Sequence, residues 1–166
     1  ALNNLLPDDI VIADVQEVPQ DFDAISDTVS KQYDYLICTA PIRPVLVRNQ
    51  WHRPGQLDVA KMAAAAKTLV GKHDFKSFAS AADQRESSVR TITLCSVEQN
   101  GDIIKISVAA DGFLYNMVRN IVGTLVEIGR GRWQPEYIQE ILDAKDRNTA
   151  GPIAPACGLC LMKIFY

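Results

Sequence analysis

Arg119 stands inside GFLYNMVRNIVGTLVEIGRGR, residues 112–132, where 113–128 read as one helix that is apolar over more than half its circumference. Burying an unpaired guanidinium is costly, so its placement implies a purpose. Stepping about 100° per residue from Phe113 gathers Phe113, Met117, Val118, Ile121, Val122, Leu125 and Ile128 into one broad arc. Asn116, Asn120, Gly123 and Glu127 fill the remainder, and Arg119 falls on the border beside Tyr115 and Val126. Gly123, one turn along, lowers helix propensity by about 1 kcal/mol relative to alanine while leaving room beside the arginine. Two chemistries fit. One is a snorkelling arginine whose stem covers the rim of the core, its head closed in a pair with Glu127 or Asp111. The other is a planar fork kept for a carboxylate or phosphate, directed at a concave, sheet-facing surface without a carboxylate partner of its own.

The four cysteines are Cys38, Cys95, Cys157 and Cys160, and only the last two are close, as CGLC. A redox pair normally opens a helix, whose N-terminus lowers the thiol pKa. Here GLCLMKIFY alternates like a closing strand. Residues three apart on a strand face opposite ways, roughly 10 Å apart along the chain, too far to bridge or chelate. No second CxxC completes a zinc site. The thiols read as structural, in a reducing cytoplasm, and no metal is expected.

These residues need elements to hold them. IVIADVQEV (10–18) reads as a strand entered through the Pro7-Asp8-Asp9 turn. KQYDYLICT (31–39) alternates, with Tyr33, Tyr35 and Ile37 on one face and Gln32, Asp34, Leu36 and Cys38 on the other. Residues 43–55 read as extended, ending at Pro54-Gly55. The clearest amphipathic helix is 57–75, with Val59, Met62, Ala63, Ala66, Leu69 and Val70 as its stripe and Gly71 as its cap. Two alternating runs, 88–98 and 102–109, flank an Asn100-Gly101 turn signal and predict a hairpin. A short helix over 135–147 and a final strand over 158–166 close the chain. Strands outnumber helices and the most legible pairing is a hairpin. The expected class is α+β: a mainly antiparallel sheet with helices packed on one face.

The length fits a single domain, 1–166, or one lobe of a larger protein, and the composition is that of an ordinary soluble domain. No apolar run reaches membrane-spanning length, and no membrane partner is expected. The net charge of −3 and pI near 5.3 argue against a strong autonomous nucleic-acid binder, although local basic clusters stand out. These are Arg43, Arg48 and Arg53 around His52, and Arg130 with Arg132. The start, ALNNLLPDD, has neither an initiator Met nor the features of a signal peptide, which suggests a fragment or processed product.

DGFLYNMVRNIVGTLVEIGRGR resembles the strand-to-helix motif of the TruA family of tRNA pseudouridine synthases. The resemblance runs through LNNLLPDDI, the K-x-Y-x-Y of KQYDY, LVGKHDFKSF, VRTI, AKDR, AGPIAPACGL and the terminal strand. It covers most of the chain and implies the C-terminal, larger share of such an enzyme. Members of the family isomerise uridines of the tRNA anticodon stem–loop without cofactor or metal, and act as homodimers. An aspartate is the nucleophile on the flipped-out nucleotide; the glycosidic bond breaks, the uracil rotates, and it rejoins through carbon.

The resemblance implies that Arg119 pairs with that catalytic aspartate and that Tyr33 lies against the uracil. It makes His73, Arg130 and Arg132 candidates for RNA contact. His73 precedes Asp74 and the aromatic pair Phe75 and Phe78, and has only His52 as a possible histidine partner, so a capping or RNA-facing role suits it better than catalysis. The aspartate belongs to a G-R-T-D segment that would precede residue 1, and nothing in the chain matches it. Asp74, Asp111 and Asp146 lie in other segments of the resemblance; Asp111 is expected at the strand-to-helix corner, near a helix N-terminus. The chain alone is therefore expected to be inactive. Departures from the family pattern are Phe22-Asp23-Ala24-Ile25, the absence of a basic residue between Phe78 and Arg85, Ile153 and Cys160. A non-catalytic RNA-binding or dimerisation module is the alternative.

Overall fold

The alternating runs pair into one six-stranded sheet in the computed structural model, which describes residues 2–166. Its order is β2 (Trp51–His52), β1 (Ser30–Cys38), β5 (Ile103–Ala110), β4 (Val89–Asn100) and β3 (Gly71–Asp74). The sixth strand, β6 (Leu159–Phe165), also pairs with β1. It takes the Ser30–Tyr35 stretch of β1's free edge, while β2 takes Ile37 and Cys38. All pairings are antiparallel except the two-residue β1–β2 contact. Three helices accompany it: α1 (Val59–Thr68), α2 (Met117–Gly129) and α3 (Tyr137–Ala144). The α+β expectation holds.

The core follows from the alternation. Tyr35 and Ile37 of β1, Ile92 of β4, and Ile104, Ile106 and Val108 of β5 are buried in one cluster with Met62, Ala65, Ala66, Ile121, Leu125 and Ile138 of the helices. On the β4–β5 hairpin, Asn100 pairs with Ile103, so Gly101 and Asp102 make the turn. Gly101 takes φ +56°, the left-handed position that glycine enters without a steric cost.

Several boundaries differ from the sequence expectation. The helix expected over 57–75 is shorter: Asp58 caps it, its carboxylate accepting from Lys61 N at 3.0 Å, and it ends at Thr68. Gly71, at φ +118°, turns the chain, and residues 71–74 pair with 89–92 instead. An unpaired β4 edge was the stronger partner for KHDF. Of the extended segment over 43–55, only Trp51–His52 forms a strand. Residues 10–18 form none: Ile10, Val11, Val15 and Val18 are exposed, and the segment is tied by Ile10 N to Pro7 O at 3.0 Å and by Asn3, whose amide brackets Ile12 N and O at 2.8 and 3.0 Å. Alternation specifies a strand only where one face is covered.

α2 is the largest departure. It begins at Met117, not at Phe113, because Asn116 sits in the left-handed region at φ 62°, ψ 11°. Its polar side is not solvated: Asn120 and Thr124 are fully buried and Glu127 is 5% exposed. Segment 150–154 covers that side. A Cβ at Gly123 would overlap the Pro152 carbonyl, and one at Gly151 would lie 2.7 Å from Thr124 Cα. The two backbones meet where neither has a side chain.

That close approach makes a prediction. Gly123→Ala has nowhere to place its methyl, so the variant should lose about 3 kcal/mol of stability or fail to fold. Urea denaturation compared with the unsubstituted chain measures it; an unchanged midpoint would show that segment 150–154 is free to move away.

Candidate active site

A corner, a strand and a helix start converge on one cavity of about 290 Å³. Tyr33 enters it from β1, Phe113 and Asn116 from the corner before α2, Arg119 from the first turn of α2, Leu159 from the start of β6, and Arg85 from the loop after Phe78. The ring of Tyr33 meets Phe113 edge-on, with centroids 5.1 Å apart at 90°. Beside Tyr33 the β1–β6 register shifts, since Gln32 pairs with Lys163 and Tyr33 with Leu161, leaving Met162 as an extra residue. Such a bulge re-aims neighbouring side chains.

Arg119 is held through two of its three nitrogens. Its Nε donates to Ala154 O at 2.7 Å and its Nη1 to Asn116 Oδ1 at 3.2 Å. Ala154 N in turn donates to Arg119 O at 3.1 Å. Neither candidate carboxylate reaches it. Glu127 is taken by Arg130 at 2.9 Å and Arg132 at 3.3 Å, and Asp111 Oδ1 accepts from Thr91 N at 3.0 Å. Among the described residues Arg119 forms no ion pair. A guanidinium has five N–H donors, and two are used here. The rest remain for something outside the chain. Asp111, expected at a helix N-terminus, instead ties β5 to β4, because the helix starts six residues later than the corner.

Asn116, Asp83 and Arg85 are the participants that sequence reasoning missed. Asn116 passes Nδ2 to Ser80 Oγ at 3.1 Å while its Oδ1 receives Arg119. Its left-handed backbone is available to asparagine at lower cost than to most residues, the one signal its type carries. Ser80 N donates to Tyr115 O at 3.1 Å, and Tyr115 N donates to the Asp83 carboxylate. That carboxylate also pairs with Arg85 Nη1 at 2.6 Å. The loop after Phe78 is thus tied onto the corner that bears the cavity.

The remaining predicted residues lie elsewhere. His73 is on β3, at the opposite edge of the sheet from Tyr33, with Nε2 at 3.3 Å from Val70 O and its ring edge-on to Phe75. Arg130 and Arg132 stand past the far end of α2, sharing Glu127, and Arg132 lies over the Trp133 ring at 4.8 Å. Arg53 joins them: its guanidinium is held below the ordinary arginine value by burial and by the charge of Arg130. Cys157 sits in a short turn before β6, not on the strand as the spacing argument assumed, and Cys160 is on β6; both are free and exposed. Burial pushes the Cys95 thiol up to about 12. A larger cavity, about 670 Å³, opens between Thr39, Pro54 and the β4–β5 turn, but Asp102 is its one ionisable lining residue.

A sequence model of the family described as tRNA pseudouridine synthase matches residues 65–166. Over its whole length the chain is 52% identical to tRNA pseudouridine synthase A 2 of Clostridium perfringens and spans 68% of that protein. It is 46% identical to tRNA pseudouridine synthase A 2 of Clostridium tetani, spanning 67%. With tRNA pseudouridine synthase A of Acetivibrio thermocellus the identity is 45% and the span 68%.

The Asp83 tie is pH-dependent. The Tyr115 N–H, and after it the Arg85 side and backbone groups, hold the carboxyl below its ordinary 3.8. A depressed folded-state pKa contributes stability that is fully present above the unfolded value and is lost as pH falls through the folded one. Asp83→Ala should therefore cost about 1 kcal/mol at neutral pH, by removing the acceptor of Tyr115 N–H and the partner of Arg85. Urea midpoints for the two proteins should converge below 3.8; a gap that stays constant into acid would assign the loss to packing.

Proposed function

The chain belongs to the tRNA pseudouridine synthase family, and from that membership we propose that the Arg119 cavity holds the target uridine of a tRNA anticodon stem–loop during its isomerisation. One observation carries the reading: Arg119 and Tyr33, from separate elements, line the same cavity, and Arg119 has donors left over and no acidic partner. Exchanging an N-glycosidic for a C-glycosidic bond neither adds nor removes atoms. Its balance calls for no redox cofactor, only for groups that bind, orient and stabilise charge.

Tyr33 offers a flat face, steadied by Phe113, against which a planar uracil packs. The free donors of Arg119 take a carboxylate end-on through Nη1 and Nη2, a charge-assisted pairing that fixes both position and charge. The nucleophilic aspartate of the family motif is not among these 166 residues. Arg119 is therefore a positioning residue for a group supplied by other residues of the complete enzyme, which we take to be a cytoplasmic homodimer. Arg130 and Arg132, with Arg53 beside them, form the basic surface at the other end of α2 that would follow the RNA backbone. His73, on the distant β3 edge, is an outer RNA contact.

Two measurements test this. The purified 166-residue chain, incubated with unmodified tRNA, should form no pseudouridine above background; turnover would overturn the role given to the missing aspartate. Fused to the part of the Clostridium perfringens relative that it does not span, the chain should become active. Arg119→Ala should then slow the reaction roughly 100-fold, the scale of losing one charge-orienting group at a reaction centre. An inert fusion would favour the non-catalytic module.

A further inference from the structure

A second cavity, about 470 Å³, lies behind the Ser80–Asn116 pair and is lined by Ser80, Ala81, Arg147, Asn148 and Gly151. Arg147 is its only ionisable lining residue. Its Nη2 donates to Asn120 Oδ1 at 3.0 Å and its Nη1 reaches Ala150 O at 3.5 Å. Asn120 is wholly buried and gives its Nδ2 to Phe78 O at 2.7 Å, which aims Oδ1 at the arginine. The guanidinium is thus fixed from below by a rigid amide. Yet it forms no ion pair among the described residues. Burial alone lowers its pKa, the mark of a partly desolvated cation without a counter-charge.

The rest of the lining is also poor in competing acceptors. Ser80 Oγ accepts from Asn116 Nδ2, and its own O–H has no acceptor among the described residues, so it is free to donate. No aspartate or glutamate lines the cavity. A cation held on one edge, a free hydroxyl donor and no carboxylate describe a receptor for an oxyanion. The same Ser80–Asn116 hydrogen bond that walls this cavity also holds Arg119.

We propose that the Arg147 cavity is a phosphate subsite that takes a phosphodiester of the RNA next to the uridine held at Tyr33 and Arg119. The assignment rests on the uridine reading above for its ligand, and on Arg147 alone for the anion. Placing a backbone phosphate there would anchor the strand on one side of Asn116 while the base turns into the cavity on the other, so phosphate contact positions and the Tyr33 pocket selects.

The experiment separates anion from RNA. Inorganic phosphate is titrated while the Arg147 Nε–H resonance is followed by NMR, in the unsubstituted chain and in Ala81→Gln and Ala81→Glu. Ala81 is exposed, so the added carboxylate occupies the cavity without touching the core. A saturable shift is expected in the unsubstituted chain and in Ala81→Gln and should vanish in Ala81→Glu; no saturable shift, or an equal one in Ala81→Glu, overturns the site. The second arm measures affinity for an anticodon stem–loop RNA across salt concentrations. Ala81→Glu and Arg147→Gln should bind roughly ten-fold more weakly than Ala81→Gln, with a salt slope smaller by about 1. Phosphate binding with unchanged RNA affinity would overturn the RNA ligand and leave free phosphate. Phosphate binding with no RNA binding even by the chain fused to the rest of the Clostridium perfringens relative would refute the uridine reading as well.

Discussion

The backbone crossing of α2 with segment 150–154 is the constraint on which the cavity depends. Gly123 and Gly151 meet there with no side chain between them, and Gly151 N donates to Thr124 Oγ1 at 2.9 Å. Once the segment lies in that groove, Ala154 and Arg119 exchange hydrogen bonds in both directions. The next residue, Pro155, accepts from Tyr35 Oη at 2.6 Å, and Gly158 passes so close to Tyr35 that a Cβ would lie 2.6 Å from its ring. The chain then enters β6 alongside β1, where Tyr33 stands. One crossing therefore sets the distance between the two residues that define the site. Larger side chains at either glycine would separate helix from segment, and with it Arg119 from Tyr33.

The helix so enclosed has an unusual electrostatic profile. Glu127 near its C-terminal end is buried and accepts from two half-exposed arginines. The middle is neutral: Asn120 and Thr124 bond to Phe78 O and to each other's turn. Arg119 stands in the first turn, where the unpaired N–H groups already make the helix end positive. A cation there is disfavoured on its own and favours an arriving anion. The end of α2 that carries Arg119 is thus short of negative charge, whereas the end that carries Arg130 and Arg132 is already partly neutralised.

Much of this was legible in the residues and some was not. The β4–β5 hairpin declared itself because alternation and a glycine at the turn agree. The apolar arc of α2 was visible, and Arg119's exceptional position with it. Gly123 was read as room beside the arginine; it is room for another backbone, which no local pattern encodes because the partner lies some thirty residues on. The same holds for Asn120, placed outside the apolar arc by periodicity and yet wholly buried. Residues 10–18 show the converse error: a strand pattern without a covered face. Asn116 was read only as a position of the helix, since its left-handed turn is imposed by the corner it closes, and its two side-chain bonds are to residues on separate segments.

The two readings of Arg119 turn out not to be alternatives. Its Nε and one Nη1 hydrogen hold segment 150–154 and the Asn116 corner, so the side chain is structural through those two donors. A snorkelling arginine would spend its head on water or on a nearby carboxylate, and neither Glu127, taken by two other arginines, nor Asp111, bonded to Thr91 N, pairs with it. Fixing two donors by neutral acceptors has a specific consequence: it orients the fork without cancelling its charge. A carboxylate in their place would have oriented it equally well and left little for an incoming anion. Carbonyl and amide oxygens are the acceptors that preorganise a guanidinium and keep it available. Arg147 repeats the device one cavity away, with Asn120 and Ala150 in the places of Asn116 and Ala154.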